Sequence, residues 1–187
     1  MTSPMAIKVE GFVIVSADGR LTDATHQQPD ALRFKADHRF FVDGLKRAAL
    51  VVHGRNSGDG DPRQRVRRRL IVTRSVDSIA VADDIPQAVY WNPAGASFEA
   101  AADAAGVTDG SAAIIGGPEV YGLFLDRYDV FWLSEAHRVH LPDGQGCFPG
   151  VPEHSPRDVL ASHGLKASET RVLDETHDVT VTAWRRV

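Results

Sequence analysis

Residues 112–125, AAIIGGPEVYGLFL, carry the strongest local signal in the sequence. The apolar segment 111–115 is predicted to be a strand, and Gly116-Gly117 follow it directly. Residues 118–125 are predicted to form a helix, because proline stands at its first position and Glu119 favours its dipole. Because glycine has no side chain, a ligand can approach the backbone of Gly116-Gly117 closely, and free N–H groups at a helix start bind anions. The segment therefore predicts a pyrophosphate site, with a tight turn that binds no ligand as the alternative.

Short apolar runs alternate with turns along the whole chain. Alternation of strands with helices indicates an α/β fold with a largely parallel sheet, in a single domain over 1–187. The alternating apolar and polar residues of 170–184 predict an antiparallel hairpin, which makes the sheet mixed. The glycine spacing does not match G-x-G-x-x-G, so a standard dinucleotide-binding fold is not indicated. The predicted strands cover 11–16, 48–53, 69–73, 79–82, 88–91, 111–115 and 130–134, and the predicted helices cover 29–45, 97–105 and 118–125.

The composition excludes several classes of function. The formal net charge of -4 argues against a general nucleic-acid binder. Cys147 is the only cysteine, so neither an internal disulfide nor a cysteine zinc site can form, and no metal site is recognisable. Neither a signal peptide nor an apolar run long enough to span a membrane is recognisable. We therefore expect a cytoplasmic protein whose partner is a small molecule.

Three segments, taken in order, resemble the dihydrofolate reductase family. Residues 114–121 (IIGGPEVY) are similar to its cofactor-binding strand, Gly-Gly pair and helix start. Residues 50–57 (LVVHGRNS) are similar to the strand and turn that hold the cofactor phosphates, and 70–75 (LIVTRS) to the strand that ends at the adenosine 2′-phosphate. The late Phe148-Pro149 also resembles the family. The resemblance implies a dihydrofolate reductase-like three-layer α/β/α fold and an NADPH site formed by Gly54, Arg55, Asn56, Ser57, Thr73, Arg74, Ser75, Gly116, Gly117, Pro118, Glu119, Val120 and Tyr121.

Arginines follow two of the predicted strands, Arg55 after the second and Arg74 after the third. A planar guanidinium suits bidentate contact with phosphate, so the resemblance implies recognition of the 2′-phosphate and NADPH rather than NADH. Solvated surface charges are the alternative. Within the basic run 63–69, Arg67 resembles by position the arginine that pairs with the glutamate carboxylate of folate. A solvated loop is the alternative for this run.

Hydride transfer to a C=N bond also requires a proton for the nitrogen. Residues 29–35 (PDALRFK) resemble the family's first helix, where a buried carboxylate binds the pteridine, and this makes Asp30 the candidate catalytic acid. A first-turn acid that stabilises the helix dipole is the alternative for Asp30, and Asp37 is the competing acid if the register slips. Burial would raise the pKa of the acid. Substrate contacts are expected from Val13, Val15, Phe34, Arg67 and Ser134. Val13 and Val15 share one face of the first strand and Ile14 lies on the other, either face could border the pteridine, and core packing is the alternative for these three residues.

The loop 18–29 (DGRLTDATHQQP) is shorter than the substrate-covering loop of dihydrofolate reductases and has no tryptophan. Residues 15–21 (VSADGRL) also resemble the opening of the related pyrimidine reductase of riboflavin synthesis. Three hypotheses follow: an NADPH-dependent dihydrofolate reductase, a riboflavin-pathway 5-amino-6-(5-phosphoribosylamino)uracil reductase, and a nucleotide-binding module without catalysis. The substrate is thus expected to be a pterin or a pyrimidine. The oligomeric state stays open, with a homodimer among the alternatives.

Overall fold

The computed structural model describes residues 6–57 and 67–187, and within these ranges nine strands form one sheet. The strands are β1 (Lys8–Ser16), β2 (Leu50–Gly54), β3 (Arg69–Val72), β4 (Ile79–Val81), β5 (Ala88–Trp91), β6 (Ser111–Ile114), β7 (Val130–Ala136), β8 (Leu165–Asp174) and β9 (Val179–Arg186). The same ranges contain the α-helices α1 (Lys35–Arg47), α2 (Phe98–Ala104), α3 (Pro118–Leu123) and α4 (Pro156–Ser162). A 3-10 helix, Asp30–Leu32, precedes α1.

The strand order across the sheet is β4-β5-β3-β2-β6-β1-β7-β9-β8. The strands from β5 to β7 in this order pair in parallel, whereas β4 is antiparallel to β5. Both β7 and β8 pair with β9 in antiparallel register. The predicted mixed, mostly parallel sheet with a C-terminal hairpin is therefore confirmed.

Helices cover both faces of the sheet, as the three-layer prediction requires. On one face, Leu45 of α1 packs against Phe12 and Val51. Gly44 permits this close packing, since a Cβ there would lie 2.5 Å from the Phe12 ring. On the other face, α2, α3 and α4 pack on the main core, and each fully buried aliphatic or aromatic side chain contributes about 1.5–3 kcal/mol to stability.

The predicted helix 29–45 was wrong at its start, because α1 begins only at Lys35. Arg33 and Phe34 are extended, with φ/ψ of -98°/100° and -116°/132°. Leu32 is 1% exposed and packs with Ile14 and Val179, in a cluster that Phe34 also contacts. Burial of Leu32 against the C-terminal hairpin thus holds the chain out of a continuous helix.

Local signals at the other helices agree with the structure in part. The hydroxyl of Ser97 caps α2 by accepting a hydrogen bond from the Ala100 N–H at 3.1 Å, as predicted. The third predicted helix ends at Leu123, two residues early. The helix α4 was not predicted, and its cap Ser155 accepts a hydrogen bond from the Asp158 N–H. Within the described ranges, no helix combines the length and the apolar character that a membrane crossing requires.

Candidate active site

The carboxyl end of β1 has an open edge beside β6. Residues Lys8 to Gly11 of β1 pair with Ser111 to Ile114, and within the described chain no strand pairs with 12–16 on that side. The chain after β6 follows β2 instead, since the Ile115 N–H donates to the Val52 carbonyl at 3.0 Å. The pairing of β1 with this segment therefore ends before Gly116, and we call the region between residues 12–16 and Gly116 the slot. Ligands of parallel sheets bind at such positions, where neighbouring connections run in opposite directions.

Two of the predicted glycine turns meet at this slot. The Gly54 N–H donates to the Gly116 carbonyl at 2.8 Å, and the Gly116–Gly117 peptide bond is cis. A Cβ on Gly117 would lie 3.2 Å from the Ser57 hydroxyl oxygen, and one on Gly116, whose φ is +110°, would lie 2.9 Å from the Tyr121 ring. Gly116 therefore requires glycine, whereas at Gly117 a small shift of Ser57 would accommodate a Cβ. Because α3 has only six residues, we attribute any affinity for anions to this backbone rather than to a helix dipole.

Tyr121 lies beneath the slot and connects α3 to β1. Its hydroxyl donates to the carbonyl oxygen of Phe12 at 2.6 Å, which satisfies one backbone group of the open edge. Burial raises the pKa of Tyr121 well above its ordinary value, and the nearby Cys147 and Asp37 raise it further. Tyr121 thus stays neutral. Val120 is also buried, so both residues support the turn from the core side.

Polar side chains follow β2 and β3 at the same end of the sheet. The Arg74 guanidinium lies 3.8 Å from the Glu119 carboxylate in the first turn of α3, and both side chains are exposed. Thr73 and Ser75 place their hydroxyl oxygens 3.0 Å apart, and Arg55 and Asn56 are exposed. Arg55, Asn56, Arg74 and Ser75 are therefore open to solvent at this end of the sheet, whereas Thr73 is buried.

A partly buried carboxylate, Asp37, lies on the α1 face of the sheet. It occupies the first turn of α1 and lies near the side chain of Ser134, which is 2% exposed. Burial raises the pKa of Asp37, and the nearby hydroxyl of Ser134 and the charge of His38 offset only part of this effect. Since α1 runs from the carboxyl end of β1 to the start of β2, its first turn lies at the same end of the sheet as the slot.

Asp30 does not have the burial that its predicted role requires. Its side chain is 95% exposed and pairs with Arg33 at 3.2 Å on the short 3-10 helix. Asp37 has the burial that this role requires, and a pattern in the sequence indicates its position. Asp37, Phe41 and Leu45 follow one another at intervals of four residues, which places them on one helical face. Leu45 is buried, so this face is the one that packs on the sheet.

The remaining predicted substrate residues lie on two different faces of the sheet. Val13 and Val15 are buried in the main core, whereas Ile14 lies on the α1 face, opposite Ser134 in the register of β1 and β7. Phe34 is half-buried at the cap of α1, with its ring centroid 5.6 Å from that of His177. Phe34, a predicted substrate residue, and its neighbour Ile14 therefore lie on the same face of the sheet as Asp37.

Arg67 lies at the opposite end of α1 from Asp37. It lines a cavity of about 240 Å³ together with Lys46, Arg68 and Gln87. Residues 58–66 are outside the described ranges, and so are the first four positions of the basic run 63–69. Among the residues that the structure describes, no group of three histidine, cysteine or acidic side chains could hold a metal ion.

Comparison with known proteins shows the fold. No family model and no curated protein matches the chain. The chain superposes on Enterococcus faecalis dihydrofolate reductase, complexed with NADP(H) and RAB-propyl, with a TM-score of 0.64 and 18% identity over 96% of both chains. It superposes on the Thermotoga maritima diaminohydroxyphosphoribosylaminopyrimidine deaminase/5-amino-6-(5-phosphoribosylamino)uracil reductase with a TM-score of 0.65 and 16% identity over 97% of this chain.

Acinetobacter baumannii RibD is also similar, with a TM-score of 0.67 and 14% identity over the whole of this chain. The chain spans only 57% of the Thermotoga protein and 60% of the Acinetobacter protein, but nearly all of the Enterococcus enzyme. At these identities the likeness concerns the fold alone. The chain therefore adopts the dihydrofolate reductase-like fold that its sequence resemblance implied.

Proposed function

We propose that this protein is an NADPH-dependent reductase that transfers hydride to a C=N bond of dihydrofolate and gives tetrahydrofolate. One observation carries the proposal: the Gly54 and Gly116-Gly117 turns meet beside the open edge of β1, and Asp37 lies at the same end of the sheet. The similarity of fold to a dihydrofolate reductase complexed with NADP(H) supports it.

The residues around the slot fit a dinucleotide with an extra phosphate. The bare backbone of Gly116 and Gly117 would allow a pyrophosphate to approach closely, because no Cβ can be accommodated there without displacement. The guanidinium groups of Arg55 and Arg74 would hold the 2′-phosphate, with the hydroxyl groups of Thr73 and Ser75 as further donors. When bound, NADPH supplies the hydride.

Asp37 is the acid that we assign to the proton step, in place of Asp30. Because burial raises its pKa, the carboxyl group keeps its proton to a higher pH than an exposed aspartate does. The nearby hydroxyl of Ser134 would help to orient the carboxyl group. Asp37 would then hold a proton near the substrate nitrogen, while Ile14 and Phe34 border the ring and exclude water.

The cavity beside Arg67 supports a substrate with an anionic tail. From Asp37 to Lys46 the helix α1 advances nine residues, or roughly 14 Å at 1.5 Å per residue. Lys46 and Arg67 bring positive charge to the far end of this path, whereas the Arg68 guanidinium donates to the carbonyl groups of Ala105 and Gly106. A folate, whose ring and glutamate carboxylates lie at opposite ends, matches this separation.

A pyrimidine reductase of the riboflavin type is the second candidate. The loop 18–29 favours it, because this loop is short and supplies no tryptophan to cover a pteridine. A phosphorylated ribosylamino-pyrimidine would use the same slot and the same acid. The two candidates differ in the group reduced, so substrate tests separate them.

The deciding experiment measures NADPH oxidation by the purified protein with dihydrofolate, with the phosphoribosylamino-uracil, and with neither. We expect oxidation with dihydrofolate and a rise in melting temperature with NADPH alone. Oxidation only with the pyrimidine would establish the second candidate. Stabilisation by NADPH without turnover of either substrate would favour a nucleotide-binding module, and the absence of both effects would contradict the reductase proposal.

A further inference from the structure

The turn that follows β1 is fastened to the loop that follows β7. The Ala17 N–H donates to the Val139 carbonyl at 2.7 Å, and the Leu21 N–H donates to the Gln145 carbonyl at 2.8 Å. The Arg20 guanidinium also donates to the Gly144 carbonyl, at 2.5 Å. These contacts join two segments that lie more than 120 residues apart in the sequence. The turn is therefore held in place along its length.

Asp18 stands at the centre of this connection. Its two carboxylate oxygens accept the Leu141 N–H at 3.0 and 3.1 Å. The hydroxyl of buried Ser16 donates to the same carboxylate at 2.5 Å, and the Arg20 N–H donates to the Ser16 hydroxyl at 3.0 Å. One carboxylate thus links the last residue of β1, the turn itself and the opposite loop.

The charge state of Asp18 suits this role. Burial by itself would raise the pKa of Asp18, but the hydrogen bonds from Ser16 and from the Leu141 N–H outweigh it and hold the pKa below its ordinary value. The carboxylate therefore stays ionised throughout the physiological range. Bonds from N–H and O–H donors to an ionised acceptor are shorter and stronger than bonds between neutral groups.

We propose that Asp18 is a positioning residue that fixes the turn 16–20 as a rigid rim of the coenzyme slot. The turn continues directly from residues 12–16, the open edge of β1, so its position sets one wall of the slot. With this wall fixed, the coenzyme enters a preformed site and is retained there. This inference rests on the proposed binding of NADPH at that slot.

The chain offers a matched control in Asp23. It lies in the same loop and accepts hydrogen bonds from the N–H and hydroxyl groups of Thr25 and, at 3.5 Å, from the Gln27 N–H. All of these contacts are local, and none reaches the loop after β7. An Asp23→Ala variant therefore removes a loop carboxylate with hydrogen bonds of its own but leaves the connection intact.

The experiment compares Asp18→Ala, Asp18→Asn and Asp23→Ala by the rate at which NADPH dissociates, followed by stopped-flow fluorescence. We expect Asp18→Ala to speed dissociation at least fivefold and to raise the KM for NADPH without a fall in kcat. Asp18→Asn keeps a carbonyl acceptor for the Leu141 N–H and should restore part of the difference. Asp23→Ala should match the wild type. A wild-type dissociation rate in Asp18→Ala would overturn the proposal, even if its melting temperature were lower.

Hydrogen exchange separates failure of this inference from failure of the proposed function. If the wild-type chain does not bind NADPH, the reductase proposal fails, and exchange of the Leu141 and Ala17 amides then tests the role of Asp18 alone. Faster exchange at both amides in Asp18→Ala, but not in Asp23→Ala, would support a fixed rim for whatever ligand the slot takes. Unchanged exchange would refute it.

Discussion

The hydroxyl of Ser134 on β7 lies beside the carboxyl group of Asp37 in the first turn of α1 and lowers its pKa. Ser134 is buried and lies opposite Ile14 in the register of β1 and β7. The strand beside the proposed acid is therefore the neighbour of the strand that borders the slot. This arrangement fixes the acid relative to the open edge of β1 through the sheet itself.

Replacement of Asp37 by asparagine should remove the proton source and keep the shape of the side chain. We expect kcat/KM for substrate reduction to fall by about 10²- to 10⁴-fold, the usual contribution of a positioned acid or base. The wild-type rate should decline as the pH rises through the raised pKa of Asp37, and the variant should lack this decline. Steady-state NADPH oxidation over a series of pH values measures both effects.

Asp30→Asn is the control for this substitution, because Asp30 is exposed and pairs only with Arg33 in the part of the chain described. It should retain the wild-type rate at every pH. A large loss in Asp30→Asn together with a normal rate in Asp37→Asn would restore Asp30 as the acid.

The same pKa shift predicts how stability depends on pH. Since burial raises the pKa of Asp37 above 3.8, the folded chain binds this proton more tightly than the unfolded chain does. The stabilisation is fully present below the unfolded-state pKa and is lost as the pH rises through the folded-state pKa. Asp37→Asn should therefore be at least as stable as the wild type at neutral pH and should show a weaker pH dependence. Urea denaturation at several pH values tests this, and a clear loss of stability at neutral pH would count against it.

A methyl group on Gly117 should block the coenzyme with little effect on the fold. The φ of Gly117 is -79°, which alanine adopts readily, and the new Cβ would lie 3.2 Å from the Ser57 hydroxyl oxygen. We expect Gly117→Ala to weaken NADPH binding by tenfold or more, as measured by fluorescence titration. Gly150→Ala is the control. Its Cβ would have no atom within 4 Å, so the substitution affects only the backbone conformation, where φ is +96°. Equal weakening in both variants would show that the effect is not local to the slot.

Arg74 should distinguish NADPH from NADH. Its guanidinium forms an exposed ion pair with Glu119, and such pairs contribute about 0–1 kcal/mol to stability. Arg74→Gln should therefore fold normally and lose roughly tenfold or more in NADPH affinity, since a hydrogen bond to a charged group contributes about 1.5–3 kcal/mol. Affinity for NADH should stay the same. The ratio of the two dissociation constants is the measurement, and a parallel loss for both coenzymes would contradict the assignment.

The sequence predicted the features that depend on neighbouring residues. An apolar run followed by Gly116-Gly117 located β6 and its turn, and Gly54 ended β2 as expected. These signals are local, because strand ends and glycine turns are determined within a few residues. Ser155-Pro156 is a comparable local start signal, and it stands at the beginning of α4.

The choice between Asp30 and Asp37 depends on contacts that are distant in the sequence. Where α1 begins is determined by the burial of Leu32 against Val179, a residue of the C-terminal hairpin. Likewise, Asp18 is bonded to Leu141, which lies 123 residues further along the chain. Hydrophobic periodicity indicates which face of a helix is apolar, but it does not show at which residue tertiary packing makes the helix begin. The fold was therefore easier to predict than the position of the carboxylate that we propose as the acid.

Tyr121→Phe should show how much the open edge of β1 depends on one hydroxyl. The substitution leaves the Phe12 carbonyl oxygen without the donor that now lies 2.6 Å away in a buried position. Loss of one partner from a buried hydrogen bond costs about 1–3 kcal/mol, so the free energy of unfolding should fall by that amount. Tyr90→Phe is the matched control, since the Tyr90 hydroxyl donates to Asp84 at 3.2 Å on the surface and its removal should change stability by about 0.5 kcal/mol or less. Urea denaturation of both variants provides the measurement. If the two lost equal stability, the hydroxyl of Tyr121 would have no special role in holding the edge, and the slot would have to be maintained by packing alone.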